Sequence, residues 1–177
     1  MKALLAILLL FVGAVVVVYI AGSIFEQNLH TEIEIDAPPE IVWEHLTDFG
    51  EYPTWHPFSK KFSAELLAGS PIYGTSQLPG QEPQEFVFTL LTVEHASELR
   101  WKGGLPIPGL FDGEHYFIIE EKPDGNVRFI QGEDFSGVIP LFFFDNFKND
   151  FESNYETVNQ ALKKLSESKM DSMVPRE

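Results

Sequence analysis

The sequence predicts an α+β domain made of an antiparallel sheet and a long carboxyl-terminal helix, with a membrane-spanning helix ahead of it. Residues 60–135 consist of apolar segments separated by Gly, Pro and Asp turns, which is typical of consecutive antiparallel strands. From residue 144 the apolar positions recur every three or four residues, which indicates a helix. Residues 3–25 contain no charged side chain and would span about 34 Å as a helix, enough to cross a bilayer.

The amino-terminal segment, residues 1–25, is predicted to be a membrane anchor. Lys2 is the only Lys or Arg before Lys60, so the positive-inside rule places the domain on the extracytoplasmic side of a single-pass anchor. Two alternatives stay open: a signal peptide cleaved near the small residues 21–23, or an anchor of opposite orientation with a cytoplasmic domain. Residues 26–30 are too short for a flexible stalk, so an uncleaved anchor would hold the domain against the lipid headgroups.

The composition of the chain limits the classes of function. Its 177 residues are enough for one domain beyond the anchor. The formal net charge of −15 argues against a nucleic-acid partner, because nucleic acid requires a basic surface. The absence of cysteine excludes disulfides and zinc–thiolate sites. The five histidines lack metal-ligand spacing and no Gly-rich phosphate loop is present, so we expect neither a metal nor a cofactor.

The elements of the domain follow one another in a simple order. Residues 32–36 alternate polar and apolar side chains as a half-buried strand does, and Pro38 and Pro39 begin a helix that Gly50 ends. Further strands are predicted at 60–68, 71–78, 85–95, 98–102, 113–121 and 126–135. The long helix of about 24 residues carries an apolar stripe of Phe144, Phe147, Phe151, Tyr155, Val158, Leu162 and Leu165. Residues 169–177 are predicted to form a flexible tail.

Five short motifs, in their order along the chain, resemble one known family. They are residues 37–38 (AP), 42–43 (VW), 52–58 (YPTWHPF), 112–117 (DGEHYF) and 131–137 (QGEDFSG). Over residues 29–168 the chain resembles the polyketide cyclase/dehydrase-like branch of the START-like (SRPBCC, helix-grip) superfamily. This resemblance implies a curved sheet wrapped around the long helix, with a cavity for a hydrophobic small molecule between them. His56 stands where the family often has Asn, which we interpret as a neutral exchange.

The cavity that the resemblance implies has a candidate set of ligand-binding residues. Alternate residues of a curved sheet face its concave side. The predicted set is Trp101, His115, Phe117, Ile119, Phe129, Gln131 and Glu133 on the strands, with Phe147, Phe151 and Tyr155 on the helix. His115 and Glu133 are the only candidates for catalysis, as a base and the group that orients it. They would equally serve to orient a ligand or form a buried hydrogen-bonded pair with a structural role.

Two apolar segments, residues 105–111 and 138–144, carry more apolar surface than a solvated loop requires. Such surface marks a ligand entrance or a membrane contact. The alternative is that both loops are buried and close the end of the sheet.

The sequence therefore favours a membrane-tethered domain that binds a lipid or another hydrophobic small molecule. One alternative is a polyketide cyclase/dehydratase-type enzyme that uses His115 and Glu133. Another is a ligand-free envelope domain that binds other proteins through its acidic surface. Fold alone does not separate these functions.

Overall fold

The computed structural model describes residues 2–173, and residues 174–177 lie outside it. The elements in chain order are α1 (Lys2–Ile24), β1 (Gln27–Ile35), α2 (Pro39–Thr47), α3 (Tyr52–Trp55), β2 (Ser59–Ser63), β3 (Pro71–Ser76), β4 (Gln84–Glu94), β5 (Glu98–Gly104), β6 (Asp112–Glu121), β7 (Val127–Ser136) and α4 (Val138–Met173). The seven strands form one antiparallel sheet in the order β1-β7-β6-β5-β4-β3-β2. Strands β2 to β7 thus form a meander, and β1 pairs with its last strand.

The sheet curves around α4, which packs against β1, β7 and α2. This arrangement confirms the predicted α+β helix-grip fold. The strand register aligns Trp101 of β5 with His115 of β6, and His115 with Glu133 of β7. These three side chains therefore lie side by side on one face of the sheet, because laterally paired residues point to the same face.

Two element boundaries differ from the sequence prediction. The helix α4 begins at Val138, so residues 138–144 form its first turns and are not a loop. Gly137, at φ +113°, ends β7 in a conformation that side chains rarely adopt, and Pro140 is tolerated in a first helical turn. The helix also continues to Met173, so residues 169–173 of the predicted tail are helical, and residues 174–177 lie outside the described residues.

The domain has a packed end and an open end. Along the strands, Leu99, Ile119 and Phe129 lie in the core cluster together with α2 and Leu162 of α4. At the other end of the same strands and helix, residues such as Gly103, Gly113 and Phe147 line a cavity instead. Because α2 covers only one end, the concave face of the sheet is filled there and hollow at the other.

The helix α1 is long and apolar enough to cross a membrane, although a signal sequence would pass the same test. Its last two turns contact the open end of the domain. The Gly137 backbone N–H donates a hydrogen bond to the Gly22 carbonyl oxygen at 2.7 Å, and the Tyr19 hydroxyl donates to the Pro108 carbonyl oxygen at 3.0 Å. Gly22 is buried in this contact, so α1 is attached beside the cavity.

Candidate functional site: an apolar cavity with one polar cluster

A cavity of about 540 Å³ lies between the sheet and the first half of α4. Its wall is mostly apolar and includes ten aromatic residues: Phe58, Phe62, Phe86, Phe88, Trp101, Phe111, Phe117, Phe147, Phe151 and Tyr155. Four exposed lining residues mark its mouth: Gln81 between β3 and β4, Gly104 at the end of β5, Leu105 between β5 and β6, and Asp150 on α4. The cavity is therefore apolar inside and opens to the surface between two loops and a helix.

Eight of the ten residues predicted to bind a ligand line this cavity. They are Trp101, His115, Phe117, Gln131, Glu133, Phe147, Phe151 and Tyr155. Ile119 and Phe129 do not line it, so the prediction that these two residues face the cavity is wrong. Both point to the concave face, as their alternation implies, but they lie farther along β6 and β7, where the core fills the space under the sheet.

The opposite wall was missing from the sequence-based set. It comes from α3, β2, β3 and β4, through residues that include His56, Ser59, Ser76 and the half-buried Phe86 and Phe88. The ring of Phe86 lies over Gly74, and that of Phe88 lies over Gly103, in each case where a Cβ atom would stand. The alternation in residues 86–88 could have predicted that Phe86 and Phe88 face the cavity. The two glycines that make room for their rings lie on neighbouring strands, and they can be recognised only once the strand register is known.

Four polar residues of the cavity form a hydrogen-bonded cluster on β6, β7 and α4. His115 Nδ1 lies 3.2 Å from Glu133 Oε2, and Gln131 Nε2 lies 3.2 Å from His115 Nε2. Because the Gln131 amide nitrogen can only donate, His115 Nε2 accepts and Nδ1 carries the proton donated to Glu133. The Tyr155 hydroxyl also donates to Glu133 Oε2. The imidazole is thus held by hydrogen bonds at both nitrogens.

Packing fixes the same cluster. The ring of Trp101 stacks on His115 with centroids 5.2 Å apart and an interplanar angle of 13°. Gly113 leaves room for the Glu133 carboxylate, since a Cβ atom there would lie 1.9 Å from Glu133 Oε1. Burial, together with the negative charge of Glu133, raises the pKa of the Tyr155 phenol well above its usual value. The phenol therefore stays protonated and remains a donor to Glu133.

His56 contributes to the wall from the end of α3. Its ring stacks on Tyr52 with centroids 5.5 Å apart, and its Nδ1 accepts a hydrogen bond from the Phe58 backbone N–H at 3.3 Å. Burial, with a smaller contribution from nearby His115, lowers the pKa of His56 to about 4. His56 was not among the residues predicted to line the cavity, and the structure places it in the cavity wall.

His56 predicts acid sensitivity of the fold. Its pKa is lower in the folded protein than the 6.5 expected when unfolded, so its stabilising contribution is complete above pH 6.5. That contribution is lost as the pH falls towards 4, because protons then bind preferentially to the unfolded chain. The wild-type protein should lose unfolding free energy between pH 6.5 and pH 4, and in His56→Asn this loss should be smaller by about 2 kcal/mol. Urea denaturation in detergent micelles at each pH measures the difference. The matched control His30→Asn alters an exposed histidine and should keep the wild-type pH profile. An unchanged profile in His56→Asn would contradict the prediction.

A curved antiparallel sheet around a long carboxyl-terminal helix, with an apolar cavity between them, defines a helix-grip protein with hydrophobic-ligand-binding architecture. The sequence profile of the polyketide cyclase/dehydrase and lipid transport family matches residues 26–167. The chain belongs to this family, which confirms the resemblance found in its motifs. No curated protein matches the chain in sequence.

Solved structures agree on the fold at low sequence identity. The Zhui aromatase/cyclase from Streptomyces sp. R1128 superposes with a TM-score of 0.67 at 14% identity, over 82% of this chain and 96% of that one. Protein NE0264 from Nitrosomonas europaea gives a TM-score of 0.65 at 16% identity, over 81% and 96% of the two chains. The di-domain ARO/CYC BexL from the BE-7585A biosynthetic pathway gives 0.65 at 12% identity, over 80% of this chain and 50% of that one. This chain thus spans half the length of BexL.

Proposed function

We propose that this protein is tethered to a membrane and binds a lipid or another hydrophobic small molecule in the cavity between its sheet and α4. The observation that carries the proposal is the cavity itself, about 540 Å³ in volume, with a mostly apolar wall that is rich in aromatic side chains. Small-molecule sites commonly have volumes of about 300 to 1,000 Å³, with apolar walls and a few oriented polar groups. The cluster around Glu133 supplies those polar groups.

The position of α1 supports the tether and relates it to the cavity. The loop 105–111 contributes Leu105 and Phe111 to the cavity wall and also receives the hydrogen bond from Tyr19. These contacts can stabilise the mature protein only if α1 is retained as an anchor, because cleavage of a signal peptide would remove them. An uncleaved anchor therefore accounts better for the buried contact at Gly22.

Exposed apolar side chains next to α1 support delivery of the ligand from the bilayer. Leu105 and Ile107 are 46% and 63% exposed, and Phe142 and Phe143 in the first turns of α4 are 59% and 55% exposed. They belong to the two apolar segments noted in the sequence, and Leu105 lies at the cavity mouth. Since α1 fixes this surface close to the lipid, we place the mouth at the headgroup level, where a hydrophobic ligand enters without crossing water.

The cyclase/dehydratase alternative is favoured by one observation, the His115–Glu133 pair inside a cavity. The hydrogen bonds of the pair weigh against it. A general base needs a free lone pair directed at the substrate, and both nitrogens of His115 already have partners. A ligand-free interaction domain would be expected to have a closed cavity too small for a ligand, whereas this cavity is open to the surface and has a volume of about 540 Å³. Ligand binding accounts for both features.

The proposal is tested by filling the cavity from α4. We expect Asn154→Trp, whose new ring would project from a half-buried lining position, to reduce the amount of bound ligand by about tenfold or more. The measurement is native mass spectrometry with lipid extraction on the full-length protein purified from its own membrane, together with uptake of the neutral probe N-phenyl-1-naphthylamine. The matched control Ser153→Trp adds the same ring to the exposed side of the helix and should behave as wild type.

A hydrophobic molecule that co-purifies with wild type and Ser153→Trp but not with Asn154→Trp would establish the cavity as the binding site. Wild-type protein that is empty and takes up no probe would overturn the proposal. Equal loading of all three proteins would place binding outside the cavity and would also overturn it.

A further inference from the structure

Beyond its apolar wall, the cavity carries polar atoms that have no partner in the protein. The side chain of Gln131 is 2% exposed, and its Oε1 atom has no hydrogen-bond partner among residues 2–173. The Nε2 atom of the same amide is engaged with His115, which fixes the orientation of the amide and leaves Oε1 as an acceptor. Buried acceptors are nearly always satisfied, so a bound molecule or an ordered water would supply the donor that the described residues do not.

Glu133 presents a second free acceptor beside it. Its Oε2 atom receives both donors of the cluster, from His115 and Tyr155. Its Oε1 atom receives no hydrogen bond from the part of the chain that the structure describes, and it lies against the backbone of Gly113 where no side chain intervenes. One carboxylate oxygen is thus used to hold Glu133 in place, and the other is left for a ligand.

The charges of the cavity have a single sign. Its described lining residues include the acidic Glu133 and Asp150 but neither lysine nor arginine. The nearest arginine on the same strands, Arg100, lies on the other face of the sheet, paired with Glu98 and Glu114. A carboxylate or phosphate brought into this apolar space would meet like charge and find no basic partner, which is strongly unfavourable where water is excluded.

From these three observations we infer that the ligand carries a hydrogen-bond donor, a hydroxyl or an ammonium group, on a hydrophobic body, and bears no negative charge at the end that enters the cavity. The donor group binds Glu133 Oε1 and Gln131 Oε1 at the polar cluster, and the hydrophobic body lies along the aromatic wall. Fatty acids and phosphorylated heads are excluded from the interior. This inference rests on the proposed function and specifies its ligand.

The test compares four probes of matched length: decan-1-ol, decylamine, decanoate and a methyl ether that lacks a donor. Full-length protein in phosphatidylcholine nanodiscs is equilibrated with each probe, and displacement of N-phenyl-1-naphthylamine is measured. We expect decan-1-ol or decylamine to be bound at least about tenfold more tightly than decanoate, and at least about threefold more tightly than the ether. These comparisons within the wild-type protein do not depend on whether a variant folds.

The variant Glu133→Gln keeps an oxygen acceptor but removes the charge. Its preference for donor probes over decanoate should fall at least about fivefold relative to wild type, both measured in the same nanodiscs so that partitioning into lipid cancels. The control Glu156→Gln makes the same change at an exposed position on α4 and should retain the wild-type preference. Tight binding of decanoate, or of the ether equally with the donor probes, would overturn the inference while leaving the proposed function intact. Bound dye that none of the four probes displaces would also overturn the inference alone, whereas a protein that takes up no N-phenyl-1-naphthylamine at all would overturn the proposed function itself.

Discussion

The Phe129→Ala substitution is expected to lower the free energy of unfolding by about 3 to 5 kcal/mol, since truncating a buried aromatic residue leaves a cavity that neighbours fill only in part. Phe129 has no exposed surface and stacks on Phe117 with centroids 5.8 Å apart. A domain of this size commonly has only about 5 to 15 kcal/mol of stability in total. Urea denaturation followed by tryptophan fluorescence measures the loss.

The contrast with Phe86 makes this prediction specific to the core. Phe86 is half-buried and one side of its ring already faces the cavity, so Phe86→Ala removes fewer packing contacts. We expect it to cost about 1 to 2 kcal/mol. Equal losses in the two variants would show that the packed end and the open end of the domain do not differ as described.

The sequence predicted the fold well because each element has a periodic signal of its own. Alternation along residues 113–121 and 126–135 gave the concave face of the sheet, and most residues assigned to that face do line the cavity. A meander with a short turn at 123–125 fixes the register of its two strands, and in the structure this register aligns the candidate pair His115 and Glu133.

Whether a concave-face residue lies at the packed end or at the open end of its strand could not be predicted in the same way. Ile119 and His115 have the same parity on β6, yet one packs in the core and the other lines the cavity. The difference arises because α2 covers only one end of the sheet, which is a tertiary fact with no local signal. The hydrogen bond from Tyr155 to Glu133 likewise depends on the rotation of α4 against β7.

The start of α4 was missed for a physical reason as well. Residues 138–144 read as a loop because they are continuously apolar and contain Pro140, which weakens a helical period. In the structure the run serves two surfaces: Phe144 contacts Phe135 on the sheet, while Phe142 and Phe143 face outward. Because apolar side chains lie on both sides of this run, it does not show the single stripe of an ordinary amphipathic helix.

The contact between α1 and the domain could not be predicted from the sequence, and disrupting it is expected to have a large effect on uptake of a ligand from the membrane. A Cβ atom on Gly22 would lie 2.7 Å from the Gly137 carbonyl carbon and 2.8 Å from the Val138 nitrogen, both backbone atoms that cannot move aside. We therefore expect Gly22→Leu to separate α1 from the junction of β7 and α4. Uptake of a fluorescent hydrophobic probe from phosphatidylcholine vesicles should fall by about tenfold, since the mouth is no longer held at the lipid surface.

The matched control is Gly13→Leu on the same helix, where no heavy atom lies within 4 Å of the added Cβ. It makes the same change in apolar bulk within the lipid and should leave uptake at the wild-type rate. Binding of the probe in detergent micelles should be equal in all three proteins, because neither Gly13 nor Gly22 lines the cavity. A Gly22→Leu protein that takes up probe from vesicles as fast as wild type would show that the anchor only retains the domain near the membrane. A slower rate restricted to Gly22→Leu would instead show that the close approach of Gly22 and Gly137 orients the cavity mouth towards the bilayer.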